Sequence, residues 1–382
     1  MKPLAGCRVL DLGIITAGAA TSAVLADFGA EVIKVESPTY RDPFRRWLSD
    51  RPIDADPNLS PFFRATNRGK FGLSLDLKQP LGREAFLRLV RESDVVVENF
   101  RRGVLQKLGL DFETLRAANP RIILASISSQ GEDGPEAGYV SYGSTLEAVA
   151  GLATTTGYAG GPPTLSGVDL NYPDQIVALF ASSMIVTAWY GRDQRDGGVH
   201  LDLSQRELTS YLSGETFVAA GAGIEEPRAG NAQAPYVVQD CFRSNDGAWI
   251  ALSVRDDQVP ALALLGTSAG DLSGWIGPQA ASEALDRLHA AGIAAERAMN
   301  GREVMTAGDT VWTHALQSTP AGDLAKGFPL QFDGEPLTIS REAPAIGADS
   351  DEVLRRVAGM KDAEIAALYE AGAIEVPTVR AA

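Results

Sequence analysis

The first 130 residues alternate short apolar runs with helix-forming segments, and no other property of the chain narrows its fold so far. Cys7-Arg-Val-Leu-Asp-Leu-Gly13 reads as a strand. A turn of small residues, Thr16-Ala-Gly-Ala-Ala-Thr-Ser22, opens an apolar helix that runs to about Phe28 and stops at Gly29. Glu31-Val-Ile-Lys-Val-Glu36 is the next strand, which completes a βαβ unit of the length a right-handed parallel crossover needs. The pattern continues with a strand at Leu73 to Leu77, an amphipathic helix from Gly82 to Glu92, and a buried strand from Asp94 to Glu98. Helices at Gly103 to Leu108 and Phe112 to Asn119 precede a strand at Ile122 to Ile127. Strands in regular alternation with helices imply an α/β fold built on a doubly wound, Rossmann-like parallel sheet. The turn after the first strand is Ile15-Thr-Ala-Gly-Ala-Ala-Thr21 and carries no Gly-x-Gly-x-x-Gly, which argues against a nicotinamide enzyme.

The character changes after a helix ending near Gly223. Gly221-Ala-Gly-Ile-Glu-Glu-Pro-Arg-Ala-Gly-Asn231 is linker-like. Beyond it, Phe242-Arg-Ser-Asn-Asp-Gly-Ala-Trp-Ile-Ala-Leu-Ser-Val254 places an Asp-Gly turn between alternating segments, a hairpin signal. With a helix at Ala281 to Ala291, this region reads as a smaller α+β domain. Two capped helices follow, beginning at Ser350 and Asp362. The expected boundaries are a large domain over 1–223, a linker over 224–235, a small domain over 236–320, and a return to the large domain over 321–382.

Cys7 and Cys241 stand far apart and offer neither a disulfide framework nor metal-ligand spacing, so no metal is expected. No signal peptide is apparent, and the apolar run at 176–190 is too short and too rich in Ser and Thr for a membrane span. A cytoplasmic protein is the expectation. The net charge of −15 opposes nucleic-acid binding. Between Arg41 and Leu110, however, 14 Lys and Arg stand against 9 Asp and Glu. A basic region in an acidic chain fits either a small anionic ligand or a solvated surface.

Asp174 lies just ahead of the nearly uncharged segment Gln175 to Tyr190, which reads as a buried helix. A carboxylate at such a helix head sits near the positive end of the helix dipole, which favours its ionised form. From position alone it is either a helix cap or a carboxylate nucleophile. Asp169 is a competing carboxylate, whereas Asp11 ends a buried strand and reads as structural.

Taken in order, several segments resemble those of the family III CoA-transferases, the group that includes formyl-CoA transferase and the carnitine and bile-acid CoA-transferases. They are Pro3 to Leu10, Leu25-Ala-Asp-Phe-Gly-Ala-Glu-Val-Ile-Lys-Val-Glu36, Asn67-Arg-Gly-Lys70, Leu75-Asp-Leu-Lys78, Asp94-Val-Val-Val-Glu-Asn-Phe100 and Asn119 to Ser126. Tyr142 to Leu152, Thr156-Gly-Tyr-Ala-Gly-Gly-Pro-Pro163, Gly197 to Ser204 and Ile346-Gly-Ala-Asp-Ser-Asp-Glu-Val-Leu354 extend the match over nearly the whole chain.

The resemblance implies that Asp174 is the nucleophile, passing through a mixed anhydride and an aspartyl-CoA thioester. It implies CoA and acyl-CoA as substrates, with no tightly bound cofactor. Thr16 and Ala17 would lie near the thioester, although many relatives have glutamine where Thr16 stands. Asn99, Phe100 and Lys107, with Arg45 and Arg101, would hold the nucleotide: an apolar wall for adenine and cations for phosphates. Gly221, Gly223 and Gly230 correspond to loop glycines that close over intermediates in relatives, and hinge glycines would look the same. The resemblance also implies an interlocked-ring dimer, of identical chains or with a related subunit. α-Methylacyl-CoA racemases share the fold but carry a Gly-His-Asp-type segment where this chain has Gly138-Tyr-Val-Ser-Tyr-Gly143. His200, His289 and His314 lie elsewhere, His200 on a strand expected to pack in the sheet.

Overall fold

The computed structural model describes residues 2–46, 56–166, 171–225, 227–306 and 314–377. Its central element is a six-stranded parallel sheet: β1 (Arg8–Asp11), β2 (Glu31–Glu36), β3 (Lys70–Ser74), β4 (Val95–Glu98), β5 (Ile123–Ser128) and β6 (Val199–Ser204). The strand order is β3-β2-β1-β4-β5-β6, with every neighbouring pair parallel. This is the Rossmann-type order, in which the chain reverses its direction of growth between β1 and β4.

Both faces of the sheet are apolar because both are covered. Leu10, Ile33, Val96 and Leu124 face one side, against Phe86 and Leu89 of the Pro80–Arg91 helix and Val353, Leu354 and Leu368 from the C-terminal segment. Their chain neighbours Val9, Val32, Val95, Val97 and Ile123 face the other, against the Ala17–Asp27 helix and the Tyr172–Tyr190 helix. Strand periodicity therefore fixes which helices lie on which layer.

β3 begins three residues earlier than its apolar run suggests. It pairs with β2 from Val32↔Lys70 to Glu36↔Ser74, so Leu75 and Leu77 fall beyond the end of the ladder. The C-terminal segment covers its free edge. Gly72 N donates to Asp349 Oδ2 at 2.7 Å, Asp349 N returns to Gly72 O at 2.9 Å, and Ser74 N donates to Ser350 Oγ at 3.1 Å. The Ser350–Arg356 helix follows Asp349, and no side-chain capping bond forms there. The polar residues read as a cap are instead spent on satisfying an otherwise open strand edge.

Two compact units are present. One comprises Met1–Leu152, Ser166–Gly214 and Val311–Ala382; the other comprises Ala153–Leu165 and Glu215–Thr310. The second unit begins nearer Glu215 than Gly223 and also takes in the segment before Ser166. Within it, Gly230 N donates to Gly157 O at 2.9 Å and Arg228 Nη2 donates to Gly161 O at 2.6 Å. Its antiparallel sheet joins β7 (Tyr236–Arg243), β8 (Trp249–Arg255) and β9 (Ala294–Arg297), with Gly247 at φ 83° in the Asp-Gly turn. β8 is central; Ile250, Leu252 and Val254 pack with Leu262, Ile276 and Leu288 of the flanking helices. No helix among the described residues is long and apolar enough to cross a membrane.

Candidate active site

The crevice at the carboxyl ends of β1 and β4 is where a doubly wound sheet leaves room for a ligand. Its floor is the turn from Gly13 to Thr16. Asn99, just past β4, accepts from Ile14 N at 2.7 Å and donates back to Ile14 O at 3.0 Å, tying the two diverging halves together. Gly13 and Gly18 meet back to back: a Cβ on Gly13 would lie 2.5 Å from the Gly18 carbonyl carbon. No side chain fits at either position while the Ala17–Asp27 helix sits this close to β1.

Ile15 has φ 60°, a left-handed conformation that a β-branched residue adopts at a cost of about 1–3 kcal/mol. Its N–H donates to Asp42 Oδ1 at 3.0 Å. Asp42 pairs with Lys34 at 3.1 Å, and the Lys34 ammonium also donates to Gly13 O. Lys70 Nζ donates at 2.8 Å to each of Asp11 Oδ2, Ala19 O and Asn67 Oδ1. The side chains of Lys34, Lys70 and Asp11 are fully buried, so this network holds the turn from beneath. Asp11 is structural.

Asp174 enters from the far side. Asn171 stands at the N-cap position of the Tyr172–Tyr190 helix without a side-chain capping bond, and Pro173 lies in the first turn, so Asp174 is the third helical residue and not the cap. Gln205, first residue of the Gln205–Tyr211 helix after β6, donates Nε2 to Asp174 Oδ1 at 2.5 Å. Burial pushes the Asp174 pKa up to about 6, against the opposing effect of hydrogen bonds from Gln205 and Asn171. The dipole argument predicts the opposite sign. Desolvation overrides it here, because removing water from a carboxylate costs more than a helix end returns.

A cavity of about 680 Å³ joins these parts. Thr16, Ala17, Asn99, Phe100, Arg101, Lys107, Asp174 and Gln205 all line it. Lys78 and Arg102 line it as well, and the sequence reading passed them over. Lys78, Arg101, Arg102 and Lys107 are exposed, and among the described residues only Arg102 has a carboxylate partner, Glu132 at 3.9 Å. Thr16 makes no capping bond, so the first-turn amides of the Ala17–Asp27 helix are left without a side-chain acceptor.

Two residues expected at the nucleotide are used otherwise. Arg45 is buried and lines no part of this cavity. Its guanidinium is committed to Glu36 at 2.6 Å, to Asn58 at 3.0 Å and to Pro344 O at 3.1 Å, and it stacks 3.6 Å over the Phe63 ring. With four of its five N–H groups engaged and the side chain buried, Arg45 is held away from a phosphate in this cavity. Asn99 reaches the cavity wall, and its amide pairs with the Ile14 backbone in both directions. Asp169 lies outside the described residues. Gly221, Gly223 and Gly230 belong to the second unit. Gln205 left no signal in the sequence, since it meets Asp174 only through the fold, 31 residues away.

No histidine among the described residues lines the Asp174 cavity. His200 sits in a separate cavity of about 320 Å³. There its Nε2 is 2.9 Å from Ser126 Oγ and its ring stacks on Phe112. In the same cavity, burial pushes the Glu98 pKa up to about 7.

The family model described as CoA-transferase family III matches residues 4–269 and 265–350. The formyl-CoA:oxalate CoA-transferase of Rhodopseudomonas palustris (strain BisA53) is 30% identical, over 100% of this chain and 99% of its own length. The succinate–glutarate CoA-transferase of Agrobacterium fabrum is 36% identical over 70% of this chain and 67% of its own. Among solved structures, a CAIB/BAIF family protein from Brucella suis superposes with a TM-score of 0.84 at 27% identity, covering 93% of this chain and 99% of that one.

Proposed function

The chain belongs to CoA-transferase family III and is an acyl-CoA:carboxylate CoA-transferase, and we propose that it transfers CoA through a covalent relay on Asp174. The observation that carries this reading is a poorly solvated carboxylate, held by Gln205 and Asn171, at the wall of a cavity rimmed by cations. With a pKa of about 6, Asp174 is ionised at neutral pH yet poorly solvated, which makes it a competent nucleophile.

One Asp174 oxygen attacks the thioester carbonyl, and the C–S bond breaks to release CoA thiolate and leave a mixed anhydride. The thiolate then attacks the Asp174 carbonyl carbon. The donor acid departs as a carboxylate, and an aspartyl-CoA thioester remains. The acceptor carboxylate attacks that thioester, expels the thiolate and forms a second anhydride. Attack of the thiolate on the acceptor's carbonyl releases the new acyl-CoA and restores Asp174. Each tetrahedral intermediate gathers negative charge on oxygen, and the first-turn amides of the Ala17–Asp27 helix, beginning at Ala17, are the proposed donors to it. Gln205 holds the attacking carboxylate in one rotamer.

Phe100 is proposed to face the adenine, and Lys78, Arg101, Arg102 and Lys107 the phosphates. The racemase alternative needs a histidine opposite an aspartate, and the placement of His200 in the other cavity favours transfer. The names of the relatives span several small acids, and a small carboxylic acid is the proposed acceptor class.

The dimer of interlocked rings is part of the same proposal. On the Tyr172–Tyr190 helix Met184 and Tyr190 are exposed beside Ser183 and Thr187, and Tyr211, whose ring meets Phe180 of that helix, is exposed as well. Such a face is suited to a second chain. A folded monomer at nanomolar concentration in native mass spectrometry would overturn this part. The catalytic part is tested by incubating the protein with several acyl-CoA donors and a panel of carboxylic acids. New CoA thioesters are expected; their absence with every pair would sink the reading.

A further inference from the structure

A second cavity, of about 590 Å³, shares Thr16 with the first. Thr16 lines both cavities, and so the two abut at the head of the Ala17–Asp27 helix. The Tyr172–Tyr190 helix and its cap supply one wall through Asn171, Gln175, Ala178 and Leu179, a single stripe at helical spacing. Asn171 also hydrogen-bonds Asp174, and Gln175 follows it in the chain. Asp174 itself lines the first cavity, so its helix neighbours Asn171 and Gln175 and the shared Thr16 are what place the two cavities next to each other.

The remaining walls decide what it accepts. Val24, Phe44, Phe62, Phe328 and Pro329 make it largely apolar. Two cations line it. Arg68 is neutralised within the protein by a bidentate pair with Asp27, at 3.1 and 2.5 Å. Lys326 has no carboxylate partner within ion-pair distance among the described residues. Its Nζ donates to Gln175 Oε1 at 3.2 Å. Lys326 is exposed at the cavity edge; desolvation and the neighbouring Arg68 lower its pKa while Asp27 acts the other way, and an anion arriving beside it would offset the repulsion from Arg68.

We infer that this cavity is the acyl subsite and that it selects acids with a short apolar chain ending in a second carboxylate, which Lys326 receives. The inference rests on the transferase reading above and deepens it. A plain fatty acyl chain would fill the apolar walls but leave the ammonium unanswered. An acid without a chain, having only its reacting carboxylate, would not reach it.

The test compares the full-length protein with Lys326→Met and Lys326→Arg, using one acyl-CoA donor and two acceptor series. One series is α,ω-dicarboxylates of increasing length; the other is monocarboxylates of matching length. The wild type is expected to favour one or more dicarboxylates in kcat/KM. Lys326→Met should cut the dicarboxylate-to-monocarboxylate ratio roughly tenfold, through KM, as expected for losing one charged hydrogen bond at a partly solvated site. Lys326→Arg should restore most of the ratio. Transfer to both series with a ratio that is the same in wild type and Lys326→Met would overturn the subsite while leaving the transferase reading intact. Transfer to no acid at all, in a wild-type protein with a cooperative melt, would remove both.

Discussion

Asp174→Asn removes the charge while keeping the oxygen that accepts from Gln205, so it separates the site's chemistry from its packing. In the folded chain the Asp174 pKa stands at about 6, against an ordinary value of 3.8. A raised carboxylate pKa means that the folded state binds the proton more tightly than the unfolded one. The residue's favourable contribution is thus fully present below about pH 3.8 and is lost as the pH rises through about 6. The gap corresponds to roughly 3 kcal/mol at neutral pH. Water in the cavity screens part of it, leaving about 2 kcal/mol as the working figure. Asp174→Asn should therefore be more stable than wild type at pH 7 to 8, by a few degrees in melting temperature. The difference should shrink steadily towards pH 4. CoA exchange should fall about a thousandfold or more in the same protein. Melting curves from pH 4 to 8, with an exchange assay at pH 7.5, read both quantities. Equal or lower stability of the variant at pH 7.5 would refute the claim that this carboxylate is held ionised at a cost.

The wild-type transfer rate should rise about tenfold per unit up to the Asp174 pKa near 6 and level off above it, because only the ionised carboxylate attacks. Gln205→Leu deletes a hydrogen bond that favours the charged form, and the acid limb of that profile should move to higher pH. Lys78→Ala and Lys107→Ala should each raise KM for acyl-CoA several-fold in low salt and less in high salt; a salt-independent effect would deny a phosphate contact. Asn99→Ala leaves both Ile14 backbone groups unpaired and should cost about 2 kcal/mol in stability, read by denaturant titration.

The layer structure was legible in the sequence because each strand is an apolar run that both faces of a parallel sheet demand. The edges were harder. Leu75 and Leu77 look like strand residues, yet β3 ends at Ser74 because β2 ends at Glu36. Asp349 and Ser350 look like cap residues, yet the β3 edge, distant in sequence, claims their side chains. The same limitation applies at the site. Phe100 stands in a segment that carried the family resemblance, Thr16 and Asp174 lie between such segments, and the fold brings all three to one cavity. Arg45 was picked for its charge, but charge says nothing about the Glu36 carboxylate and the Phe63 ring that enclose it. Asp174 was expected to be ionised easily, because a helix start is visible in a sequence while the burial of that start is not.

The central claim is that Asp174 becomes acylated. The most direct test is to mix the protein with an acyl-CoA donor, without acceptor, quench with hydroxylamine and map the digest by mass spectrometry. A hydroxamate at residue 174, absent from Asp174→Asn, is the predicted result. A protein that exchanges CoA at full rate yet yields no hydroxamate there, or yields it at another residue, would contradict the account.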